Sequence, residues 1–429
     1  MVATGAPLSD WLAWLETLSP KEINLGLERV QQMLVRLQVV RPDHVLLIAG
    51  TNGKGSSVAM SDALLRAAGK RVGAYTSPHV NRYNERIVVN GEAASDATII
   101  AAFEKVESVR GDLELTYFEY GTLAAVVVFA DADLDVWVLE VGLGGRLDAT
   151  NAIDPSASLI TNISLDHCDW LGDDVETIAA EKAGIMRPET PTVFASREMP
   201  LAIERHAASI GSTLVRAGHE FERHISADGL WCWRGPCGSL DKLLPPGLLG
   251  EFQADNAAGV LALLDAAGLM QGIDSALINT VLPTLSLAGR SERLFIDKTE
   301  WLIDVAHNPA AAEMLARTLD SLEPRKNTVA IVGLLDDKDA AGVIGPLSRH
   351  VSRWIAITAE SHRAVNATEL ARQIANLTDR ACLVAESAAA AIEIARRDAA
   401  ENDRILVTGS FFTVGPILTL LAAELRPTS

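Results

Sequence analysis

Apolar, β-branched runs alternate with Ala- and Leu-rich stretches along this chain from about residue 44. The runs HVLLIAG (44–50), DVWVLEV (135–141) and SASLITNI (156–163) are typical of buried strands, and each leads into polar or glycine-rich residues. The stretches between them have the composition of helices. This alternation predicts an α/β fold with a mostly parallel sheet and crossover helices. Because ligands of such folds bind beyond the carboxyl ends of the strands, polar residues at those ends are the candidates for a site.

The length of the chain and a break in the alternation predict two domains. At 429 residues the chain exceeds what one hydrophobic core usually serves. The alternation fails between about 215 and 250 and resumes after AGRSERL. Four further strand-like runs follow: EWLIDVA, TVAIVGL, RWIAITA and DRILVTG. We therefore expect a domain with a P-loop-type, mostly parallel sheet over 1–295 and a smaller, Rossmann-like α/β domain over 296–429.

Composition and charge exclude several classes of function. The chain is 48% hydrophobic and 22% charged, as globular proteins are. Acidic residues outnumber basic ones by 56 to 37, and no basic cluster offsets the net charge of −19, so nucleic acid is not expected as a partner. No apolar run reaches the ~20 residues of a membrane span, and no leader pattern opens the chain. Four scattered cysteines suggest reduced thiols. We expect a cytoplasmic protein.

The stretch GTNGKGSS (50–57) lies between a predicted strand and a predicted helix. Glycines allow backbone N–H groups to turn toward an anion, the helix N-terminus adds positive potential, and Lys54 adds a charge. The strict P-loop spacing fails, because Ile48 occupies the first glycine position and Gly55 separates Lys54 from Ser56. The stretch therefore predicts a variant phosphate-binding loop, with an ordinary strand-to-helix turn as the alternative.

With that loop the chain begins to resemble the folylpolyglutamate synthase and dihydrofolate synthase branch of the Mur ligase superfamily, whose fingerprint is GTNGKGS. Further segments resemble the family in the expected order: INLGLERV (23–30), TSPH (76–79), FEYGTLAA (118–125), LEVGLGGRLDATN (139–151), SLDH (164–167), EKAGI (181–185) and DVAHNP (304–309). The departures are Ala288 and Ala310, which stand where Pro and His are expected. The ordered set covers nearly the whole chain.

The resemblance implies a reaction and its participants. The family joins L-glutamate to 7,8-dihydropteroate, forming dihydrofolate, and to reduced folates such as tetrahydrofolate, forming folylpolyglutamates. The ATP γ-phosphate first converts the acceptor carboxylate into an acyl phosphate, which the glutamate amine attacks. Such phosphoryl transfer needs Mg²⁺, for which two sites are expected. The resemblance also implies a monomer.

Other activities remain as alternatives. One is a monofunctional folylpolyglutamate synthase. A peptidoglycan Mur ligase is less favoured, because only about 43 residues precede the first strand, too few for a separate sugar-nucleotide domain. A P-loop GTPase, a binding module rather than a ligase, should show the strict Walker spacing.

The resemblance also assigns residues to the nucleotide and the metals. The implied ATP-binding residues are Thr51, Asn52, Gly53, Lys54, Gly55, Ser56, Ser57, Asn256, Arg290, Asp304 and His307. The implied metal ligands are Ser77, Glu140, His167 and Lys182, and the implied catalytic residues are Lys54, Glu140, His167 and Lys182. For Arg290, a surface charge in the linker is the alternative.

Lys182, in IAAEKAGIMRP, is the most testable of these residues. Its simplest interpretation is a solvated lysine on a helix. The resemblance implies instead a lysine carbamylated by CO₂, an anionic ligand for the second metal. Glu140 has a structural alternative as well, an ion pair with Arg146.

Candidate substrate-binding residues lie in both domains. For the pterin substrate we expect Arg29, Phe118, Tyr120, Arg146 and Asp148. Glutamate needs a cation for its carboxylates, and Lys338, His362 and Ser410, which follow strands of the second domain, are the candidates there. Aromatic residues at such positions can equally be core.

Overall fold

The computed structural model describes residues 5–18, 24–166, 168–296, 298–400 and 402–425. The chain divides into two compact units. Unit 1 consists of the residues up to 164, 173–245 and 254–284, and unit 2 consists of 165–172, 246–253 and 285 onward. Unit 2 thus includes a short segment, 165–172, that interrupts the sequence of unit 1.

The main sheet of unit 1 has eight strands within the described residues. In chain order they are β1 His44–Ala49, β2 Val72–Tyr75, β3 Ile87–Val89, β4 Glu92–Ala93, β5 Val136–Glu140, β6 Ala157–Ile160, β7 Pro191–Phe194 and β8 Thr213–Arg216. Their order across the sheet is β4-β3-β2-β5-β1-β6-β7-β8. The six strands from β2 to β8 run parallel, and only β3 and β4 pair in antiparallel fashion.

A small antiparallel sheet occupies the region where the alternation fails. Its strands are β9 Glu222–Ile225, β10 Trp231–Gly235 and β11 Gly238–Leu243, with β10 in the centre. Trp233 of β10 is buried, and its indole N–H donates to the carbonyl of Ala258 at 3.1 Å. The small sheet is therefore anchored on a helix of unit 1.

Unit 2 contains a six-stranded sheet. Its strands are β12 Glu292–Ile296, β13 Thr299–Ile303, β14 Thr328–Val332, β15 Arg353–Ala356, β16 Cys382–Val384 and β17 Arg404–Thr408, in the order β12-β13-β17-β14-β15-β16. Only β12 runs antiparallel to its neighbour. Because β12 begins at Glu292 and pairs with β13, the second sheet starts before the predicted boundary at 295/296.

Helices connect the strands as the alternation predicts. In chain order they are α1 Leu8–Leu18, α2 Glu28–Leu37, α3 Lys54–Ala67, α4 Asp96–Arg110, α5 Tyr117–Asp131, α6 Cys168–Leu171, α7 Val175–Ala183, α8 Leu201–Ile210, α9 Phe252–Ala266, α10 Ser275–Val281, α11 Pro309–Ser321, α12 Ala340–Leu347, α13 Ala367–Thr378, α14 Ala388–Asp398 and α15 Phe411–Leu425. Short 3₁₀ turns span Tyr83–Arg86, Ala149–Ala152 and Leu282–Thr284. No helix among the described residues has the length and apolar character needed to cross a membrane.

Burial explains why the strand sequences are apolar without a break. In β1 every residue from Val45 to Ala49 is fully buried, and β5 and β6 flank it on either side. A central parallel strand has both faces covered, so it does not alternate polar with apolar residues. The predicted α/β class with mostly parallel sheets is confirmed.

Candidate active site

The loop between β1 and α3 has the geometry of a phosphate-binding loop. Lys54 is the first residue of α3, and its Nζ donates to the carbonyl oxygens of Gly50 and Thr51 at 3.0 and 3.1 Å. Gly53 has a φ of +86°, and a Cβ there would lie 2.5 Å from Oδ1 of Asn256 in α9. Glycine is therefore required at position 53 for its backbone angle and for space. Asn256, a predicted nucleotide contact, lies beside the loop.

The residues after β6 hold this loop in place. The Asn162 carboxamide accepts from the Asn52 N–H at 3.0 Å and donates to the Asn52 carbonyl at 2.9 Å. Thr161 Oγ1 donates to the same carbonyl at 2.6 Å. Thr51 Oγ1 donates to the carbonyl of Ser164 at 3.1 Å. The conformation of the loop is thus fixed by side chains from the neighbouring strand end.

Lys182 is buried beneath the same loop. It lies in the last turn of α7 and is 4% exposed, so it is not the solvated lysine of the simplest interpretation. Its Nζ donates to the Gly50 carbonyl at 3.1 Å. Lys54 and Lys182 therefore hydrogen-bond to one oxygen. On the other side of α7, Glu181 pairs with Arg146 at 2.8 Å, which ties the helix to the loop after β5.

Glu140 lies at the carboxyl end of β5 and is 3% exposed. Its Oε2 accepts from the backbone N–H of Ser77 at 3.1 Å, in the loop that follows β2. Arg146, the alternative partner considered for Glu140, pairs with Glu181. Two of the predicted metal ligands, Glu140 and Ser77, thus adjoin each other.

The donor set at these strand ends suits a hard cation. Carboxylate and hydroxyl oxygens are what Mg²⁺ prefers, and the Ser57 hydroxyl is buried with no hydrogen-bond partner among the described residues. His167 lies outside the described residues. Across the part of the chain that is described, no group of three His, Cys, Asp or Glu side chains forms a metal site. A site here would combine Glu140 with serine oxygens, His167 and Lys182.

In unit 2, the residues after β13 form a second polar group. Asp304 is half-buried, and it accepts from the Ser291 N–H and hydroxyl at 2.7 and 2.8 Å. Burial raises the pKa of its carboxyl. The Arg290 guanidinium carbon lies 5.2 Å from the centre of the Phe411 ring. The centre of the His307 ring lies 6.1 Å from the centre of the same Phe411 ring. Arg290 is thus held on an aromatic face rather than extended as a free linker charge.

Asp166 is the centre of a charged cluster in unit 2. Its carboxylate accepts from Lys338 Nζ at 2.9 Å and from Asn308 Nδ2 at 2.8 Å, and His307 Nε2 lies 3.7 Å away. The side chains of Lys338 and Asp166 are 6% and 8% exposed. Asn308 also caps α11 through the Ala311 N–H. Asp166 therefore sets the positions of three neighbouring side chains.

The other predicted glutamate contacts follow nearby strands of the same sheet. His362 is exposed and lies on the loop after β15, which is bridged to the loop of Lys338 at Leu335 and Ala364. Ser410, after β17, is buried and shares a hydrogen bond with Thr413 at 2.8 Å. Since β14, β15 and β17 are neighbours, these loops open at one edge of the sheet.

Comparison with known proteins identifies the family. Residues 48–264 match the Mur ligase middle domain, and residues 289–411 match the Mur ligase glutamate ligase domain. The dihydrofolate synthase/folylpolyglutamate synthase of Escherichia coli K12 is 41% identical over 98% of this chain and 97% of its own length. The chain belongs to the dihydrofolate synthase/folylpolyglutamate synthase family.

Solved structures of the family share the whole fold. E. coli FolC in complex with DHPP and ADP is 39% identical, with a TM-score of 0.93 over 99% of this chain and 100% of that one. The bifunctional folylpolyglutamate synthase/dihydrofolate synthase of Yersinia pestis, complexed with AMPPNP and Mn, is 38% identical, with a TM-score of 0.90 over 98% of this chain and 100% of that one. The predicted family, the ligase class and the use of ATP with a divalent metal are confirmed.

Five residues predicted for the pterin substrate of this family have different surroundings. Arg29 pairs with Glu119 at 2.9 Å. Phe118 covers Gly142 of the loop after β5, where a Cβ would lie 2.5 Å from its ring. Arg146 is held by Glu181, and its side chain is 54% exposed. These three residues remain substrate-binding predictions.

Tyr120 and Asp148 are interior residues. Tyr120 is fully buried, and its hydroxyl donates to Glu107 at 3.0 Å, which gives it a packing role. Asp148 is 4% exposed and accepts from the Leu143 N–H at 2.9 Å and from Thr150 Oγ1 at 2.6 Å. Burial raises the pKa of Asp148. Asp148 therefore shapes the glycine-rich loop, and for both residues substrate binding stays a prediction.

Sequence reasoning missed the residues that support the site. Asn162 and Thr161 hold the phosphate-binding loop, and Asp166 organises Lys338. A signal was present, since Thr161 and Asn162 lie at the end of the predicted strand 156–163 and Asp166 follows that strand. Nothing in the sequence alone, however, separates a supporting polar residue from a ligand-binding one.

Proposed function

We propose that this chain catalyses the ATP-dependent ligation of L-glutamate to 7,8-dihydropteroate and to reduced folates such as tetrahydrofolate, with phosphoryl transfer at the carboxyl edge of the first sheet. The observation that supports this most is the convergence of Lys54 and Lys182 on the Gly50 carbonyl. Such a pair gives a phosphate-binding loop a second lysine amine, which nucleotide binding alone does not require. Glu140, at the next strand, completes the group.

The chemistry begins with the acceptor carboxylate. A carboxylate resists attack by an amine, so one of its oxygens takes the γ-phosphoryl group of ATP and ADP leaves. The amino group of glutamate then attacks the carbonyl carbon, the amide bond forms and phosphate departs. In the first step, Lys54 and the N–H groups of Gly53 and Gly55 would stabilise the charge on the phosphoryl oxygens.

We propose that Lys182 acts as a carbamate. Two ammonium groups hydrogen-bonded to one oxygen repel each other at this short range, and burial weakens solvent screening. Addition of the neutral Lys182 amine to CO₂ forms an N–C bond and releases one proton, which replaces a cation with an anion. The repulsion from Lys54 thereby becomes attraction.

Ser77, Glu140, His167 and the carbamate of Lys182 are the residues that would hold Mg²⁺. Bound there, the metal supplies charge neutralisation for the phosphoryl oxygens. The buried hydroxyl of Ser57, which has no hydrogen-bond partner among the described residues, supports this proposal because it leaves one oxygen donor of the loop without another role. The burial of Glu140 beside Ser77 supports it as well.

For unit 2 we propose that Lys338, His362 and Ser410 receive the carboxylates of glutamate, and that Arg290, Asp304 and His307 contact the nucleotide. Support comes from the cation of Lys338 and from the position of all three loops at one sheet edge. In this proposal the phosphate-binding loop belongs to residues 1–295 and the glutamate contacts belong to residues 296–429. We further propose that the enzyme works as a monomer in the cytoplasm, in keeping with the free thiols of Cys232, Cys237 and Cys382.

The test is ATP- and Mg²⁺-dependent incorporation of labelled glutamate by purified protein, with dihydropteroate in one reaction and tetrahydrofolate in another. Incorporation with both acceptors is expected. Incorporation with tetrahydrofolate alone would instead identify a monofunctional folylpolyglutamate synthase. If neither acceptor is used by folded protein that binds ATP in the presence of bicarbonate, the proposed acceptors are wrong.

A further inference from the structure

Arg86 is a buried cation near the loop of Ser77. It closes the 3₁₀ turn Tyr83–Arg86 and is 8% exposed. Its guanidinium carbon lies 5.2 Å from the centre of the Tyr83 ring and 5.6 Å from that of Tyr117, and its Nε donates to Nδ1 of His79 at 2.9 Å. The two rings and the imidazole fix the plane and the direction of the guanidinium.

Among the described residues, no carboxylate forms an ion pair or a hydrogen bond with Arg86. Its ring neighbours are phenols, which are neutral near pH 7, and an imidazole that accepts a hydrogen bond through Nδ1. The contrast within unit 1 is clear, since Arg29 pairs with Glu119, Arg66 with Asp62 and Arg110 with Glu107. Buried charges in proteins are ordinarily paired, because desolvation without a partner is costly.

A second observation points to a ligand at the same place. The hydroxyl of Tyr83, whose ring carries the guanidinium, is buried with no hydrogen-bond partner among the described residues. The Arg86 carbonyl accepts from the Thr76 N–H at 3.0 Å, so Arg86 adjoins the loop that brings Ser77 to Glu140. Because Nε is the atom that contacts His79, the terminal nitrogens of Arg86 remain as donors in a rigid fork.

We propose that Arg86 is a substrate-binding residue that receives a carboxylate of the acceptor. The inference rests on the proposed function, in which each acceptor carries at least one carboxylate. A guanidinium held by its Nε and its faces presents two parallel N–H donors, which match the two oxygens of a carboxylate. The acceptor thereby supplies the anion that the described residues do not provide at this position. Dihydropteroate offers only its reacting carboxylate, whereas a folate offers a second one that does not react.

The test compares R86M, R86K and wild type in acceptor binding, ADP binding and ligation. Met keeps the length of the stem and removes the cation. Loss of a charge-assisted, two-point contact should raise the acceptor Kd and KM about 10- to 100-fold, with ADP affinity unchanged. R86K should recover only part of the loss, because an ammonium cannot reproduce the fork. R66M, at an arginine already paired with Asp62, is the matched control and should bind both ligands as wild type does.

The two acceptors distinguish which carboxylate is bound. A loss with dihydropteroate and tetrahydrofolate assigns Arg86 to the reacting carboxylate, and a loss with tetrahydrofolate alone assigns it to the second one. Unchanged acceptor affinity in folded, ADP-binding R86M overturns the proposal, and if R86M does not fold, unchanged affinity in R86K overturns it. If wild type itself uses neither acceptor, it is the proposed function that fails.

Discussion

The polar edges of the two sheets are organised by different means. At the edge of unit 1, the phosphate-binding loop is held through its backbone, by Asn162 on the Asn52 peptide and by two lysines on the Gly50 carbonyl. At the edge of unit 2, the side chains of Lys338 and Asn308 are held through the carboxylate of Asp166. Contacts to the backbone fix the conformation of the loop. A charge pair fixes only the positions of the two side chains, and one substitution can remove it.

The difference corresponds to what each edge would bind. A triphosphate is bound largely by backbone N–H groups, so the loop must have one conformation before the ligand arrives. An amino acid is bound by side-chain charges, which need orientation but less exact backbone geometry. We therefore expect changes at the phosphate-binding loop of unit 1 to reduce turnover and nucleotide binding, and changes around Lys338 in unit 2 to weaken glutamate binding.

The largest effect is expected for K182A. Loss of an anionic ligand in a buried phosphoryl-transfer site should lower kcat about 100- to 1,000-fold or more, with partial recovery when small carboxylates are added. The measurement is glutamate incorporation at saturating substrates. K105A, which removes an exposed lysine paired with Asp131, is the control and should keep full activity. A fully active K182A would contradict the role given to this residue.

G53A should show the next largest effect, because a methyl group there meets Asn256 Oδ1 at 2.5 Å in addition to the backbone strain at φ +86°. We expect ADP affinity, measured by calorimetry, to fall about 10-fold or more, as loss of a charge-assisted backbone contact implies. G69A provides the control, since Gly69 has a φ of +84° but an added methyl group would meet no atom within 4 Å. Equal ADP affinities in the two variants would remove the argument that close packing presets the loop.

D166N tests the edge of unit 2. The amide keeps the size of the side chain but removes the charge that holds Lys338, so the KM for glutamate should rise about 10-fold. The KM for ATP should rise less, because His307 lies 3.7 Å from Asp166 and Lys338 only 2.9 Å. D320N, at an exposed carboxylate paired with Arg349, should leave both constants unchanged. An effect confined to ATP would show that Asp166 serves the nucleotide instead, and would erase the proposed difference between the two edges.

The smallest expected effect is on stability and concerns His350 in unit 2. Burial lowers the pKa of its imidazole, and this effect is larger than the attraction of Asp320, which raises the pKa. Below about pH 6.5 the unfolded chain therefore binds a proton at this position more readily than the folded one, and stability is lost as the pH falls. Between about pH 7.5 and pH 5.5, the Tm of wild type should drop a few degrees more than that of H350Q. Equal drops would show that His350 does not contribute.

The sequence predicted the parts of this molecule that repeat a simple pattern. β1, β5 and β6 are unbroken apolar runs because both of their faces are covered, and such runs are visible without a structure. The phosphate-binding loop was predictable as well, since its glycines serve backbone angles that other residues rarely adopt.

The remaining features depend on tertiary contacts. The residues next to Lys182 in the sequence do not distinguish this buried lysine from an exposed lysine on a helix. In the same way, the sequence around Tyr120 does not distinguish a core residue from an aromatic residue in a binding site. The pairing of Asp166 with Lys338 joins residues far apart in sequence, and their spacing carries no period. For the same reason, the surroundings of Arg86, two phenol rings and an imidazole, become visible only in the folded chain.

The proposed phosphoryl-transfer centre combines Lys54, which is half-buried, with the buried Lys182, and Lys182 acts there as a carbamate. The most direct measurement is ¹³C NMR of the active, full-length protein equilibrated with ¹³C-bicarbonate, with K182A as the reference. A protein-bound carbamate signal in wild type that is missing from K182A is the predicted result. If fully active wild-type protein shows no such signal, Lys182 works as an ammonium, and the account of how its repulsion from Lys54 is relieved is wrong.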